Sequence, residues 1–229
     1  VCVVDAGPRA MSSLSRRVGC RSSGPGYLLG ERVVSGLGES VAALVASGAE
    51  LLTGGNPVEG AGFRFQNTLL RISGADFVRQ PEALQREAFG NAGLLIEAAD
   101  EDELVAISGA FEGNLTGCIY SCSEGTDEAL YEPIARNLRR QVGRLLNDKM
   151  PTGVAVSSAM NHGGSFPATG HPGFTAVGIP GSIRRFAVLE CYDNVREERL
   201  PVELRNRNPG GGLFRRIDGC WSSEDVSCE

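Results

Sequence analysis

The sequence has no concentration of basic residues and no long apolar run, and each shortage excludes a class of protein. There are 22 Lys and Arg against 28 Asp and Glu, giving a net charge of -6. A nucleic-acid-binding surface needs a basic stripe, whereas the arginines here are scattered. No apolar run approaches the ~20 residues that span a bilayer. The first residues also lack the basic start and apolar centre of a signal peptide.

Histidine is scarce and the cysteines are irregularly spaced. His162 and His171 are the two histidines, and the seven cysteines show no repeated Cys-x-x-Cys, which argues against a zinc site or any other metal site. An odd number of cysteines cannot all pair internally, so we expect a cytoplasmic protein with reduced thiols. Cys118 lies in an apolar run and is expected to be buried. Cys20 lies among arginines, which can lower the pKa of a thiol.

What the sequence does contain is an alternation of strand and helix patterns. Apolar spacing and turn residues predict helices over Tyr27–Ser47, Pro81–Ala88, Asp100–Phe111 and Thr126–Arg140, and strands over Glu50–Thr53, Phe63–Ile72, Gly93–Glu97, Leu115–Ser121 and Val142–Leu146. The strands of the middle region are continuous apolar runs, which are typical of a parallel sheet covered on both faces. We therefore predict an α/β, three-layer αβα fold with a mostly parallel sheet.

Two of the predicted helices carry N-terminal cap signals. Asp100 is expected to be the N-cap of one helix, with Glu103 completing a capping box. Thr126 or Asp127 is expected to cap the next helix.

The character of the sequence changes after residue 150. From Pro151 to Pro180 glycine, proline, serine and threonine dominate, and a loop of this length is usually functional or disordered. Ile183–Tyr192 returns to a strand-like pattern, and the remainder predicts a short helix, a turn and a loose tail. We divide the chain into a domain over residues 1–180 and a segment over residues 181–229.

Four stretches together resemble the aldehyde dehydrogenase superfamily. They are QREAFGNAGLLIEAADEDELVAISGAFEGNLTGCIYS, GRLLNDKMPTGVAVSSAMNHGGSFPATG, RFAVLECYDN and LPVELRNRNPGGGLFRRIDG. The later motifs are similar to the branch that contains α-ketoglutaric semialdehyde dehydrogenases. The resemblance implies a catalytic lobe that takes part in NAD- or NADP-dependent oxidation of an aldehyde to a carboxylic acid. In that reaction a cysteine thiolate attacks the aldehyde, hydride passes to the nicotinamide, and a water activated by glutamate hydrolyses the thioester.

Three motifs of that superfamily are absent from this sequence. They are Gly-Gln-x-Cys with the nucleophile, Glu-Leu-Gly-Gly with the general base, and the glycine-rich dinucleotide turn. In the superfamily all three lie before the segment that the opening VCVV matches. We therefore expect the chain to be the C-terminal part of such an enzyme, inactive alone, with an N-terminal dinucleotide-binding half as partner and main holder of NAD or NADP.

The resemblance assigns a cofactor role to Glu87 and Phe89 of the QREAFG stretch. It implies that Glu87 accepts hydrogen bonds from the nicotinamide ribose hydroxyls and that Phe89 lies against the nicotinamide. Gly90 would let the backbone pass close to the ligand. The superfamily usually has proline at the position of Asn91. The alternative is a solvated glutamate at a helix end and a core phenylalanine.

The resemblance also places the MNHGGSF stretch near the substrate entrance. Its candidate residues are His162, Gly163 and Phe166, with a possible role for His162 in binding a substrate carboxylate. The alternative is that His162 only shapes the loop. Asn147 matches a loop asparagine for which we expect a structural role through backbone hydrogen bonds.

The last prediction from sequence concerns assembly. The resemblance implies that Arg185–Tyr192 forms an oligomerisation strand that pairs with a neighbouring subunit, which gives a homo-oligomer. A second interpretation is a non-catalytic α/β binding or oligomerisation module descended from the same fold. The two interpretations differ in what they expect of the upstream coding sequence. An enzyme would have Gly-Gln-x-Cys there, and a non-catalytic module would not.

Overall fold

A computed structural model describes residues 2–5, 24–150, 153, 157, 159–171, 183, 187–210 and 212–226, with residues 2–5 described through their backbone pairing. The chain divides into two compact units, Val1–Arg185 and Phe186–Glu229. The functional roles assigned to residues 1–180 and 181–229 stay a prediction.

The first unit contains a four-stranded mixed sheet. Its strands are β1 (Cys2–Asp5), β3 (Glu50–Thr53), β6 (Thr68–Ser73) and β7 (Ala92–Glu97), in the spatial order β1-β7-β6-β3. Strand β7 is parallel to both β1 and β6, whereas β3 is antiparallel to β6. No helix connects β3 to β6, and a parallel crossover usually needs one, so this pair is antiparallel.

Two smaller sheets complete the strands of this unit. Strands β2 (Gly26–Tyr27), β4 (Pro57–Val58) and β5 (Arg64–Phe65) form an antiparallel sheet, and β8 (Asn114–Ile119) pairs in parallel with β9 (Val142–Asn147). The strands predicted at Glu50–Thr53, Gly93–Glu97, Leu115–Ser121 and Val142–Leu146 are therefore present, whereas Phe63–Ile72 is divided between β5 and β6. In the described part of the chain they form small mixed sheets rather than one mostly parallel sheet.

Five α-helices of the first unit are described. They are α1 (Glu31–Ala46), α2 (Gly74–Arg79), α3 (Pro81–Leu84), α4 (Glu101–Ala110) and α5 (Glu128–Gln141). The three long predicted helices are confirmed as α1, α4 and α5. The helix predicted over Pro81–Ala88 is only one turn long. Helix α2 was not predicted, although Ser73 accepts a hydrogen bond from the Asp76 amide at 3.2 Å as its N-cap.

The predicted caps are confirmed in one helix and corrected in the other. Asp100 is the N-cap of α4 and accepts from the Glu103 amide at 2.8 Å. Glu103 reaches back one residue further than expected, because it accepts from the Ala99 amide at 2.5 Å. Asp127 occupies the N-cap position of α5 without a side-chain cap bond. Its carboxylate instead accepts from the Cys122 amide at 2.8 Å.

The core lies between α1 and the mixed sheet. Leu37, Val41 and Leu44 of α1 are buried together with side chains of the central strands, which include Leu70, Ile72, Leu94 and Ile96. Leu95 is fully buried as well, so the run Leu94–Leu95–Ile96 is covered on both faces of β7, as its continuous apolar pattern predicted. Each of these side chains contributes about 1.5–3 kcal/mol on burial.

The second unit is built from turns and one hairpin. It contains 3-10 turns at Glu197–Arg199 and Val202–Leu204, and the hairpin of β10 (Arg215–Ile217) and β11 (Cys220–Ser222). The hairpin replaces the predicted loose tail. Its turn residues Asp218 and Gly219 both have positive φ, the usual requirement of an Asp-Gly hairpin turn.

The predicted oligomerisation strand is only partly within the described residues. Residues 185 and 186 lie outside them, and residues 187–192 have no regular secondary structure. Val188 and Leu189 are 87% and 97% exposed. A strand needs a hydrogen-bonding neighbour, and none of the described strands pairs with this segment.

No helix in the described ranges is long and apolar enough to cross a membrane.

Candidate functional site

Glu87 and Phe89 lie on a loop, residues 85–91, that connects α3 to β7. Both side chains are exposed, and Phe89 is 69% exposed. Ala88, between them, packs against the hydrophobic core. The loop therefore presents a carboxylate and an aromatic ring to solvent, with a partly buried alanine between them.

The alternative interpretation fits Glu87 in part, because its side chain is solvated, but it does not fit Phe89, which is exposed. Helix α3 ends at Leu84, so Glu87 is not at the end of a helix, and Phe89 is not a core residue. Among the described residues, none forms a hydrogen bond or an ion pair with the Glu87 carboxylate. The carboxylate is thus available as a double acceptor.

Gly90 has a structural reason that the sequence alone did not reveal. Its φ is 152°, and a β-carbon at this position would lie 2.6 Å from Leu37 Cδ2. In the described structure Gly90 allows a close approach to the core face of α1, and its approach to a ligand stays a prediction.

The candidate substrate loop, residues 159–171, contains no helix or strand in the described part. Gly163 is buried, His162 is half-buried, and Phe166 is 80% exposed. The loop is held by side-chain hydrogen bonds: Ser165 Oγ donates to the Arg140 carbonyl at 3.0 Å, and Thr169 Oγ1 donates to the Gly164 carbonyl at 2.6 Å.

Glycines allow this loop to lie directly on the β8–β9 pair. A β-carbon on Gly143, the second residue of β9, would overlap the carbonyl oxygen of Gly163. A β-carbon on Gly113, just before β8, would overlap the carbonyl oxygens of Ser165 and Phe166. Both positions therefore need glycine for a close backbone approach.

The two candidate loops rest on the same short connection between α4 and β8. Gln85, at the start of the first loop, accepts a hydrogen bond from the Glu112 amide at 2.7 Å. The next residue, Gly113, lies against the carbonyls of Ser165 and Phe166 in the second loop. The structure thus brings both sequence-predicted sites to adjacent residues of one segment.

Asn147 has a structural role, but not through the backbone bonds that we expected. Its Nδ2 donates to Ser121 Oγ at 2.9 Å and to Asp148 Oδ2 at 2.6 Å. Asp148 makes the backbone bond instead, because it accepts from the Ser121 amide at 2.8 Å. This amide and then the Asn147 side chain hold the pKa of Asp148 below its usual value.

The cysteines provide one feature that the sequence did not identify. The Cys118 thiol is half-buried and donates to the Lys149 carbonyl at 2.8 Å, whereas Cys20 lies outside the described residues. Cys122 is exposed in the turn before α5. Hydrogen bonds from the Thr126 side chain and then from the Glu124 backbone lower the pKa of its thiol. No group of metal-binding side chains occurs within the described residues.

Comparisons with known proteins relate the chain to curated enzymes. No protein-family model matches the chain. It is 38% identical over 141 residues to α-ketoglutaric semialdehyde dehydrogenase 2 of Azospirillum brasilense, which covers 62% of this chain and 26% of the relative. It is 39% identical over 126 residues to α-ketoglutaric semialdehyde dehydrogenase of Acinetobacter baylyi, which covers 55% of this chain and 23% of the relative. These matches support membership of the aldehyde dehydrogenase superfamily.

A solved structure of the superfamily shows the same fold. Betaine aldehyde dehydrogenase from Staphylococcus aureus, in complex with NAD⁺, aligns with a TM-score of 0.55 at 15% identity. The alignment covers 71% of this chain and 33% of that chain. The chain thus has an α/β aldehyde dehydrogenase fold and spans about a quarter of the length of its curated relatives.

Proposed function

We propose that this chain forms part of an NAD- or NADP-dependent dehydrogenase that oxidises a semialdehyde to a carboxylic acid. The observation that carries the proposal is the loop of residues 85–91. It presents Glu87 and Phe89 to solvent while Ala88 anchors the loop in the core. The semialdehyde substrate class is supported by the names of the two curated relatives.

The two exposed side chains fit the nicotinamide riboside portion of such a cofactor. A carboxylate can accept hydrogen bonds from two neighbouring ribose hydroxyls, and charge-assisted bonds are the stronger kind. An exposed aromatic ring offers a flat apolar surface for a nicotinamide ring. When bound, the nicotinamide accepts a hydride. Glu87 and Phe89 contribute binding and orientation rather than a proton or an electron pair.

The second loop is proposed to border the aldehyde substrate. Phe166 offers an exposed apolar side chain, and His162 and Gly163 lie next to it. A semialdehyde carries a carboxylate at its far end, for which a histidine is a suitable partner. The support is that this loop and the Glu87 loop rest on adjacent residues, Glu112 and Gly113.

Gly-Gln-x-Cys and Glu-Leu-Gly-Gly, the motifs that carry the chemistry in the resembled superfamily, do not occur in the 229 residues. We propose that a dinucleotide-binding portion supplies the nucleophile, the general base and most of the cofactor contacts. We also propose that the strands then lie within a three-layer αβα arrangement with a mostly parallel sheet.

A complementation assay tests this function. The chain is assayed alone and as a fusion to the portion of the Azospirillum relative that it does not cover, with α-ketoglutaric semialdehyde and NAD⁺ or NADP⁺. We expect turnover only in the fusion, because removal of a nucleophile abolishes most of the rate gain. Turnover above about 1 s⁻¹ by the unfused chain would contradict the proposal, since typical enzymes turn over at ~10 s⁻¹. A folded but inactive fusion would favour the non-catalytic module.

The assembly and the location are also proposals. The exposed apolar side chains of Val188 and Leu189 support self-association through Arg185–Tyr192 into a homo-oligomer. The described cysteines Cys118, Cys122, Cys191 and Cys220 are free, which supports a cytoplasmic location. Light scattering at tens of micromolar checks the assembly, and a clean monomer would count against it.

A further inference from the structure

The loop that carries Glu87 and Phe89 is tied down at both ends by amide side chains. At its start, Gln85 Nε2 donates to the carbonyls of Ala110 at 3.0 Å and Pro81 at 3.2 Å. The other atom of the same amide, Gln85 Oε1, accepts from the Glu112 amide at 2.7 Å. One side chain therefore joins the end of α3 to the end of α4 with both of its polar atoms.

At the other end of the loop, Asn91 performs a similar task. Its Nδ2 donates to the Phe65 carbonyl at 3.1 Å and to Asn67 Oδ1 at 2.8 Å. Its own carbonyl accepts from the Thr68 amide at 3.0 Å. Asn91 thus joins the loop to β5 and to the start of β6.

The orientation of the Asn91 amide is determined by its partner. The Phe65 carbonyl is only an acceptor, so the atom that faces it must be the NH₂ group. The position is also closely packed, because a β-carbon on Gly26 of β2 would lie 2.7 Å from the Asn91 amide. The side chain therefore cannot turn without losing both bonds.

Between these two ties, residues 86–90 contact the core only through Ala88 and the backbone at Gly90. Ala88 packs against the core, whereas Arg86, Glu87 and Phe89 are exposed. Loops with few buried contacts open locally at low free energy. The direction in which Glu87 and Phe89 point therefore depends on the two ties as well as on the packing of Ala88.

We propose that Gln85 and Asn91 are positioning residues, which hold Glu87 and Phe89 in the geometry that binds the nicotinamide riboside. The proposal rests on the cofactor role proposed for this loop. Neither residue touches the cofactor. Each acts through the backbone, since small misplacements of binding groups cause large losses in enzymes.

The structure offers a matched control in Gln80. It is half-buried like Gln85 and lies immediately before α3, at the opposite end of that helix. Its Nε2 donates to the Ser47 carbonyl at 2.7 Å, which ties it to the end of α1 rather than to the loop. Gln80→Ala removes a hydrogen bond of the same kind without releasing residues 86–90.

The experiment has two independent measurements. The first is the rate of tryptic cleavage after Arg86, an exposed residue of the loop, in the chain itself, for Gln85→Ala, Asn91→Ala and Gln80→Ala. We expect cleavage at least about tenfold faster in the first two variants and within about twofold of the parent in Gln80→Ala, because cleavage requires local opening of the loop. If Gln85→Ala fails to fold, Gln85→Glu is used in its place. It keeps an acceptor for the Glu112 amide and loses the donor to the Ala110 and Pro81 carbonyls.

The second measurement is steady-state kinetics in the complemented enzyme, which we use to separate the cofactor KM from the aldehyde KM. We expect Gln85→Ala and Asn91→Ala to raise the cofactor KM at least about fivefold and to leave the aldehyde KM within about twofold. A purely structural role would lower the amount of active enzyme and leave both KM values unchanged.

Each contrary result has a distinct meaning. Unchanged cleavage after Arg86 in both loop variants would overturn the positioning role, whatever the kinetics. Faster cleavage with an unchanged cofactor KM, in an enzyme where Glu87→Gln does raise the cofactor KM, would overturn positioning and leave the cofactor site in place. An unchanged cofactor KM in Glu87→Gln would overturn the cofactor site and this proposal together.

Discussion

At the scale of single residues, Glu87 and Phe89 are exposed on either side of Ala88, which is partly buried against the core. The contact of Ala88 holds the middle of the loop, and the hydrogen bonds of Gln85 and Asn91 hold its ends. A Glu-x-Phe spacing therefore presents an acceptor and a ring together. The spacing can be read from the sequence. That Ala88 packs against the core while both neighbours are exposed is seen only in the structure.

A second residue-scale feature, the Asp100 cap of α4, gives a stability prediction. Asp100→Ala leaves the Glu103 amide without its acceptor, so we expect a loss of about 0.5–2 kcal/mol in the free energy of unfolding. Asp100→Asn keeps a side-chain oxygen at the same place and should cost much less. Urea denaturation of the three proteins measures the difference. Equal losses in the two variants would show that the cap bond is not the cause.

At the scale of elements, the position of the 159–171 loop depends on two glycines of the β8–β9 region. The strands themselves could be predicted, because each is an apolar run between turn residues. The docking of the loop on Gly143 and Gly113 could not, because a glycine in a strand pattern does not reveal what approaches it. The same limit applies to β3, whose antiparallel direction depends on the connection rather than on the strand.

Gly143→Ala tests this docking directly. The new β-carbon would overlap the Gly163 carbonyl, so the loop must move, and overpacking typically costs about 1–3 kcal/mol. Hydrogen exchange of residues 163–166 should become faster, and the free energy of unfolding should fall. Gly36→Ala is the control, because nothing lies within 4 Å of a β-carbon at that helical position. It should instead stabilise the chain by about 0.5–1 kcal/mol. A Gly143→Ala protein that behaves like Gly36→Ala would contradict the docking.

At the scale of the whole molecule, the sequence motifs pointed to the correct superfamily. The order of helices and strands did not predict how the strands divide into separate sheets. The helices α1, α4 and α5 and the strands β6–β9 were predictable from local periodicity. The pairing of β3 with β6 and the separate β8–β9 pair depend on contacts distant in sequence. The hairpin of the second unit could have been found from Asp218-Gly219 between two short strands.

The candidate site follows the same division. Glu87 and Phe89 were identified by a motif, and the structure adds that they are exposed and that no described residue occupies the carboxylate. The ties made by Gln85 and Asn91 were not predictable, because they bind the carbonyls of Ala110 and Phe65, which are about 25 residues away in sequence. A site assembled from a loop therefore needs the fold before its supports can be named.

The cofactor KM of Glu87→Gln in the complemented enzyme is the sharpest test of the proposed cofactor role of Glu87. Glutamine keeps the shape but replaces one acceptor by a donor, and a charge-assisted hydrogen bond is worth roughly 1.5–3 kcal/mol. We expect the cofactor KM to rise by about ten- to a hundredfold or more and the aldehyde KM to change little. Glu82→Gln, an exposed glutamate of α3, should stay within about 0.5 kcal/mol of the parent. A Glu87→Gln enzyme with the same cofactor KM as Glu82→Gln would contradict the account.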